Sequence, residues 1–232
     1  MIKTVFFDLG NTIVDYHSGN LTDEEKDFLG LFQMHGKLKE YEIGIEFDKL
    51  LNTFYYPWIN VLTKRNESKK EFDMMHFMPD AIQENSNIFM ELILAFHEPC
   101  ARFAVAMHGI REVLSEIKSR GIKTGIISNS TVPGQCHSVT LKYLNLSELI
   151  DYEFYSYDIG IRKPSHEIFR TALIKSGSME NESLMVGDRL EMDIMPAQEI
   201  GMQALWFSQN SLGSNDSCAF RIKEFDEILL IL

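Results

Sequence analysis

The chain has few cysteines, no long apolar run and a shortage of basic residues, and each shortage closes off a class of protein. Cys100, Cys136 and Cys218 are its 3 cysteines in 232 residues. They are odd in number, widely separated and without metal-ligand spacing, so neither a disulfide framework nor a zinc site is indicated, and they read as buried thiols. No apolar stretch approaches the roughly 18 residues a membrane-crossing helix needs. The amino-terminus enters a strand pattern at once, with no basic segment, apolar run and cleavage site. These absences lead to the expectation of a cytoplasmic protein with no membrane partner, in which the Asn-X-Ser triplet beginning at Asn66 carries no glycan. Lys and Arg number 22 against 34 Asp and Glu, a formal net charge of -12, which opposes binding to a phosphate backbone and argues against nucleic acid as a partner. Proline and glycine are scattered singly, and no repeat or low-complexity segment stands out.

What is present is an ordinary globular composition, 45% hydrophobic and 24% charged, which favours a folded chain over a disordered one. Its length suits one substantial domain, or a domain with a smaller partner. Short apolar runs of strand type lie at 4–7, 124–127, 152–155, 184–186 and 203–207. Those after the first are separated by amphipathic stretches such as "GIREVLSEIKSRG" (109–121) and "SHEIFRTALIKSG" (165–177). Apolar strands alternating with such helices predict an α/β fold, a doubly wound parallel sheet covered on both faces.

The first strand is separated from the second by more than a hundred residues, far more than a crossover helix needs. Within that gap "LTDEEKDFLGLFQMHGKLKEY" opens with Thr22 followed by acids, a helix start, while "EFDKLLNTFYYPWINVLTKR" and "NIFMELILAFH" have helical apolar spacing. The insert reads as an α-helical cap domain at 16–96, leaving 1–15 and 97–232 for the core domain. The aromatics of 54–65 and the methionines of 72–78 read as packing within the cap. Inward-facing cap residues, Trp58 or Lys64 among them, are candidates for substrate choice. The tail "FRIKEFDEILLIL" suits a closing strand and a final helix.

In an open parallel sheet, ligands bind beyond the carboxyl ends of the strands. Asp8 sits immediately after the first strand, Ser128 and Asn129 follow the second in "GIISNST", and Asp188 follows a later one in "LMVGDRLEMD". Gly187 lets the backbone turn sharply, placing one carboxylate at the strand end and another, Asp193, in the first turn of the next helix. With Asp8 they make a hard-oxygen pocket suited to Mg²⁺. Three carboxylates so close would be costly without a cation. Lys163, in the extended segment before Pro164, offers an ammonium that can neutralise carboxylate and phosphate oxygens. The Ser128 hydroxyl and neighbouring amides could hold phosphate oxygens as an anion-binding nest, or Ser128 could be a plain helix cap.

"FFDLGNT", "IISNS", "GIRKP" and "GDRLEMD", in this order, resemble the haloacid dehalogenase (HAD) superfamily of hydrolases over 5–15 and about 109–207. The insert resembles the family only in position, size and helical character. The resemblance implies a Rossmann-like core in which Asp8 is the nucleophile and a Mg²⁺ ligand, joined by the backbone carbonyl of Gly10 and by Asp188. It implies that Ser128, helped by backbone groups around Asn129, binds the transferring phosphoryl group. Lys163 would steady Asp8 and the phosphate charge, and Asp193 would hold the metal waters or Lys163. Phosphoryl transfer depends mainly on alignment and on neutralising the equatorial oxygens, which is what these groups would do. The implied activity is a Mg²⁺-dependent phosphatase of small phosphorylated metabolites acting through an aspartyl-phosphate on Asp8, with substrate and oligomeric state left open.

The departure lies at Gly10. The family pattern is Asp-X-Asp-Gly-Thr, and here it reads Asp8-Leu9-Gly10-Asn11-Thr12. In the family the second Asp protonates the leaving oxygen and then activates water, a task worth roughly 10²–10⁴-fold. Glycine does neither. One reading is a phosphatase acting on esters whose leaving group departs easily, such as sugar 1-phosphates or aryl phosphates, or one that borrows an acid from Asp15 or His17. Another is a metal-free haloacid dehalogenase, against which Asp188 and Asp193 argue, because without Mg²⁺ they would repel a carboxylate substrate. A third is a non-catalytic or weakly active module that binds a phosphorylated ligand or a partner. Retention of Asp8, Lys163 and both later acids favours chemistry.

Overall fold

The computed structural model describes residues 1–65, 68–83, 86–208 and 220–232; Cys218 and Asn66 lie outside the described residues. In chain order the strands are β1 (Thr4–Phe7), β2 (Val14–Asp15), β3 (Val105–Ala106), β4 (Lys123–Ser128), β5 (Tyr152–Tyr155), β6 (Ser183–Gly187), β7 (Gln203–Phe207) and β8 (Phe220–Ile222). The helices are α1 (Asp23–Glu40), α2 (Phe47–Leu50), α3 (Tyr56–Lys64), α4 (Asp80–Gln83), α5 (Ser86–Phe103), α6 (Ile110–Ser119), α7 (Gly134–Tyr143), α8 (Ser156–Ile159), α9 (His166–Ser176) and α10 (Met195–Glu199).

Six strands form one parallel sheet in the order β5-β4-β1-β6-β7-β8. β1 lies inside it, all four of its residues buried, which is why it reads as an unbroken apolar run. Its alternate side chains enter different cores. Val5 and Phe7 join Val113, Leu114 and Ile117 of α6 on one face, and Phe6 joins Ile168 and Phe169 of α9 with Met185 on the other. Phe7 is in register with Ile126 on one side and Val186 on the other. The carboxyl ends of β1, β4 and β6 therefore finish within two residues of one another, and the residues after them share one edge.

The long gap after β1 is helical, as its periodicity predicts. Thr22 caps α1 through a reciprocal pair with Glu25, the Thr22 hydroxyl accepting from the Glu25 amide at 3.2 Å and the Glu25 carboxylate accepting from the Thr22 amide at 2.7 Å. α1 crosses α5 so closely that a Cβ on Gly30 would sit 2.0 Å from the Phe96 carbonyl oxygen. Phe54, Trp58, Phe89 and Phe96 build an aromatic core there, and Val132 and Cys136 from the sheet side complete it. The methionines behave as expected: Met74 and Met78 are buried in this core.

Local detail goes beyond the sequence expectations, and one of them, the burial of Cys100, is corrected. The stretch 46–65 is helical as its spacing predicts, with α2 and α3 joined by a π-helical turn, Leu51–Tyr55, just before Pro57. The tail adds β8 alongside β7 but ends in a 3-10 helix, Phe225–Leu230. Cys136 is buried, whereas Cys100 is half-buried. The antiparallel ribbon of β2 and β3, at which the chain leaves and re-enters the sheet domain, has no sequence signature because two residues cannot display alternation.

Candidate active site

Asp8 follows β1 and its amide donates to the Val186 carbonyl of β6 at 2.8 Å, which holds the carboxylate at the shared strand edge. Two donors converge on its Oδ1: the Ser128 hydroxyl at 2.9 Å and Lys163 Nζ at 2.6 Å. Oδ2 has no hydrogen-bond donor among the described residues. Lys163 is 3% exposed, and its ammonium is fully engaged, also donating to Asp193 Oδ1 at 2.6 Å and to the Ile127 carbonyl at 2.8 Å. Burial alone would push its pKa down, but the Asp193 and Asp8 carboxylates outweigh that and raise it. Lys163 is therefore a fixed cation.

Ser128 is the last residue of β4 and aims at Asp8, so it is not a helix cap. The Asn129 side chain is spent on positioning Lys163. Its Nδ2 donates to the Lys163 carbonyl at 3.0 Å and its Oδ1 accepts from the Lys163 amide at 2.8 Å.

Carboxylate oxygens of Asp8, Asp188 and Asp193 lie within 4.8 Å of one another. Asp193 is 1% exposed with both oxygens occupied, Oδ1 by Lys163 and Oδ2 by the Arg189 amide at 3.0 Å. Asp188 differs, because its Oδ1 is buried with no partner. Burial, then the charges of Asp8 and Asp193, push the Asp188 carboxyl up to about 7. Burial likewise raises Asp193 to about 6, against the pull of Lys163. An orphaned carboxylate oxygen beside two more carboxylates is the environment that a hard cation would relieve. Gly187 serves this cluster by absence of a side chain rather than by a sharp turn. A Cβ there would meet Asp193 Cβ at 2.5 Å and its carboxylate at 2.6 Å, so only glycine lets the Asp193 side chain lie against the backbone.

After Asp8 the chain turns through Gly10 and Asn11, and Asn11 has φ 59°. That left-handed conformation suits Gly or Asn, so Asn11 meets the demand of the turn at the place where the family pattern has glycine. Asp15 caps its own turn, accepting from the His17 and Ser18 amides at 2.8 and 3.1 Å and from the Ser18 hydroxyl. The Ser18 hydroxyl and these amides lower its pKa, the wrong direction for a proton donor. His17 pairs with Asp23 at 2.8 Å, both side chains more than 60% exposed. Neither Asp15 nor His17 lines the main cavity; they border a separate hollow that reaches Asp188 from the side.

The cavity at the sheet edge, about 430 Å³, has Asp8, Gly10, Ser128, Asn129, Lys163, Asp188 and Asp193 on its floor and walls, so the seven residues to which the resemblance assigns a role in catalysis, phosphate or metal binding border one space, and the borrowed-acid and cap candidates do not. From the helical insertion, Leu62 and Arg65 line it too. Trp58 is instead 5% exposed and packs edge-on against Phe96, ring centroids 5.2 Å apart, while Lys64 is exposed and does not line the cavity. Arg65, Arg162 and Arg189 escaped the sequence reading. Arg162 and Arg189 each adjoin a motif residue, and that adjacency was the available signal. Arg65 had none, because which face of α3 looks inward is fixed by how the cap docks.

That docking is specific. Residues 68–71 pair with 160–162 through a Lys70–Ile161 bridge, with Arg162 N donating to Lys69 O at 2.8 Å and Glu71 N to Gly160 O at 3.0 Å. The buried Glu71 carboxylate takes a fork from Arg65, Nε at 3.1 Å and Nη2 at 2.5 Å, and a bond from the Ser156 hydroxyl at 2.5 Å. Arg162 Nε approaches it at 3.4 Å.

Comparison with known proteins agrees with this architecture. The family model described as haloacid dehalogenase-like hydrolase matches residues 2–201. A glyceraldehyde 3-phosphate phosphatase of Pyrococcus furiosus is 27% identical over 217 residues, 93% of this chain and 84% of that protein. A protein of the same name from Methanocaldococcus jannaschii is 27% identical over 87% of this chain and 83% of its own length. Among solved structures, a HAD phosphatase from Thermococcus onnurineus superposes with TM-score 0.64 at 22% identity, covering 99% of this chain and 97% of that one. A 2-haloacid dehalogenase from Pseudomonas syringae gives TM-score 0.66 at 19% identity, covering 100% and 98%. At those identities the two structures speak to the fold, which they share with this chain.

Proposed function

Because the chain belongs to the haloacid dehalogenase-like hydrolases, we propose that it is a phosphatase of small phosphorylated metabolites that works through a covalent aspartyl-phosphate on Asp8. The observation that carries this reading is one buried ammonium, Lys163 Nζ, 2.6 Å from both Asp8 and Asp193, at the floor of a cavity that also borders the orphaned Asp188. Likeness to proteins named as phosphatases over most of the chain supports it. In this reading 1–15 and 97–232 form the core domain and 16–96 the cap.

The donor set fits Mg²⁺, which Asp8, Asp188 and the Gly10 carbonyl would hold, with Asp193 behind them anchoring Lys163. When bound, the ion supplies positive charge against the phosphoryl oxygens. The residues do the rest. Ser128 and Lys163 both bind Asp8 Oδ1, which leaves Oδ2 to attack phosphorus. The new Oδ2–P bond forms as the ester P–O bond breaks, while Lys163 and Ser128 neutralise the equatorial oxygens. The departing oxygen then carries the electron pair away without a proton from residue 10. Esters with stable leaving anions, aryl and anomeric phosphates, are favoured for that reason. Water next cleaves the Oδ2–P bond, releasing phosphate and restoring the carboxylate, and with no base at Gly10 this second step is slowed.

Hydrolysis of an aryl phosphate with and without Mg²⁺, with Asp8→Asn as control, tests the proposal. Turnover that needs Mg²⁺ and disappears in Asp8→Asn is expected. No turnover across aryl, sugar and nucleotide phosphates with Mg²⁺ binding intact would put a ligand-binding module in its place, and turnover of haloacids without Mg²⁺ would put a dehalogenase there.

A further inference from the structure

Although the chain carries a net charge of -12, three arginines, Arg65, Arg162 and Arg189, border the one cavity above Asp8. A single carboxylate, Glu71, serves two of them. Arg162 is structurally committed, 3% exposed and bonded through Nη1 to the Arg65 and Ser68 carbonyls. Burial, with the charges of Arg65 and Arg189 added and against the pull of Glu71, pushes it down to about 10. Arg189 has no side-chain hydrogen bond or ion pair among the described residues and is exposed. Arg65 uses Nε and Nη2 on Glu71, and its Nη1 is uncommitted among the described residues. Leu62 and Met192 add apolar wall to the same cavity.

The transferred phosphoryl group does not account for these cations. Lys163, Ser128 and the three acids lie at the sheet edge, whereas Arg65 comes from the end of α3 in the helical insertion and Arg189 from the loop after β6. We propose that Arg189 and Arg65 form an anion subsite, so that the enzyme selects phosphomonoesters carrying a second anionic group, a carboxylate or a second phosphate, a few carbons from the phosphate it removes. This rests on the phosphatase reading for its substrate, but the subsite is defined by binding and can be tested apart from turnover. Guanidinium forks recognise carboxylate and phosphate alike, and Leu62 and Met192 would flank the short carbon chain between the two anions.

The test compares 3-phosphoglycerate with glycerol 3-phosphate, which share a three-carbon skeleton and a primary phosphate ester and differ in the carboxylate. Fructose 1,6-bisphosphate against fructose 6-phosphate does the same for a second phosphate. In the wild type we expect kcat/KM to favour the doubly anionic member of a pair by about 10-fold or more, chiefly through KM, the size of one charge-assisted contact. Arg189→Gln should carry that ratio toward one, Arg65→Lys should retain part of it, and added salt should narrow it. The pair with the larger ratio tells which anion the subsite takes. A ratio near one in wild type and Arg189→Gln alike, with hydrolysis proceeding, overturns the subsite and leaves the phosphatase standing. If neither compound is hydrolysed, calorimetric titration decides. Tighter binding of 3-phosphoglycerate or the bisphosphate that is lost in Arg189→Gln upholds the subsite while the phosphatase reading falls. Equal or absent binding overturns the subsite as well.

Discussion

Gly10 takes a carboxyl out of the site without closing the space it would fill. A Cβ there would meet only Tyr16 Cδ2, at an ordinary 3.9 Å, and the residue lies outside the left-handed region, so aspartate can be accommodated without strain. Gly10→Asp should therefore raise hydrolysis of an alkyl phosphate, whose leaving oxygen needs a proton, by about 10²-fold or more, and that of an aryl phosphate by less. Steady-state rates on the two esters check this, and an unchanged alkyl rate would contradict the role assigned to the missing acid. At this scale much of the site was legible. Asp8, Ser128 and Asp188 stand at strand ends, Lys163 directly precedes Pro164 and Asp193 lies in the helical turn after Asp188, and their chemistry is a property of side chain and position. Less legible were Asn129, whose amide clamps the Lys163 backbone, and Gly187, whose missing side chain makes room for Asp193. Both depend on what another segment brings within 3 Å, and spacing along one segment does not carry that.

Among the elements, the crossing of α1 and α5 is the most constrained contact. Replacing a helix-interior glycine by alanine ordinarily gains about 0.8–1.0 kcal/mol. At Gly30 the added Cβ would stand 2.0 Å from the Phe96 carbonyl oxygen, a backbone atom that cannot rotate away. The clash wins, and Gly30→Ala is expected to destabilise the protein by about 1–3 kcal/mol, read as a lower urea midpoint; a higher midpoint would mean that the two helices can separate freely. The helices themselves were visible in the sequence because 3.6-residue periodicity and the Thr22 start signal are local. Their close approach was not, since Gly30 reads on its own as a poor helix former. The β2–β3 ribbon and the Leu51–Tyr55 turn escaped for a related reason, being too short to express a period.

For the whole molecule, the order of apolar strands and amphipathic helices was enough to anticipate a parallel sheet with a helical insertion. It could not anticipate how the insertion docks. The Glu71 fork with Arg65, the approach of Arg162 and the 68–71 pairing with 160–162 set the cap over the strand edge, and through that docking Leu62 and Arg65 rather than Trp58 and Lys64 face the cavity. Fold and chemistry then meet in one claim: Asp8 takes the phosphoryl group, and the missing acid at Gly10 makes its release the slow step. Rapid quenching of the wild-type enzyme on an aryl phosphate with Mg²⁺, followed by mass analysis of the peptides, tests that claim most directly. The account predicts a burst of aryl alcohol stoichiometric with enzyme and a phosphoryl group on the peptide that contains Asp8, both absent in Asp8→Asn. Steady turnover from the first cycle, with no phosphoryl group on that peptide, would contradict it.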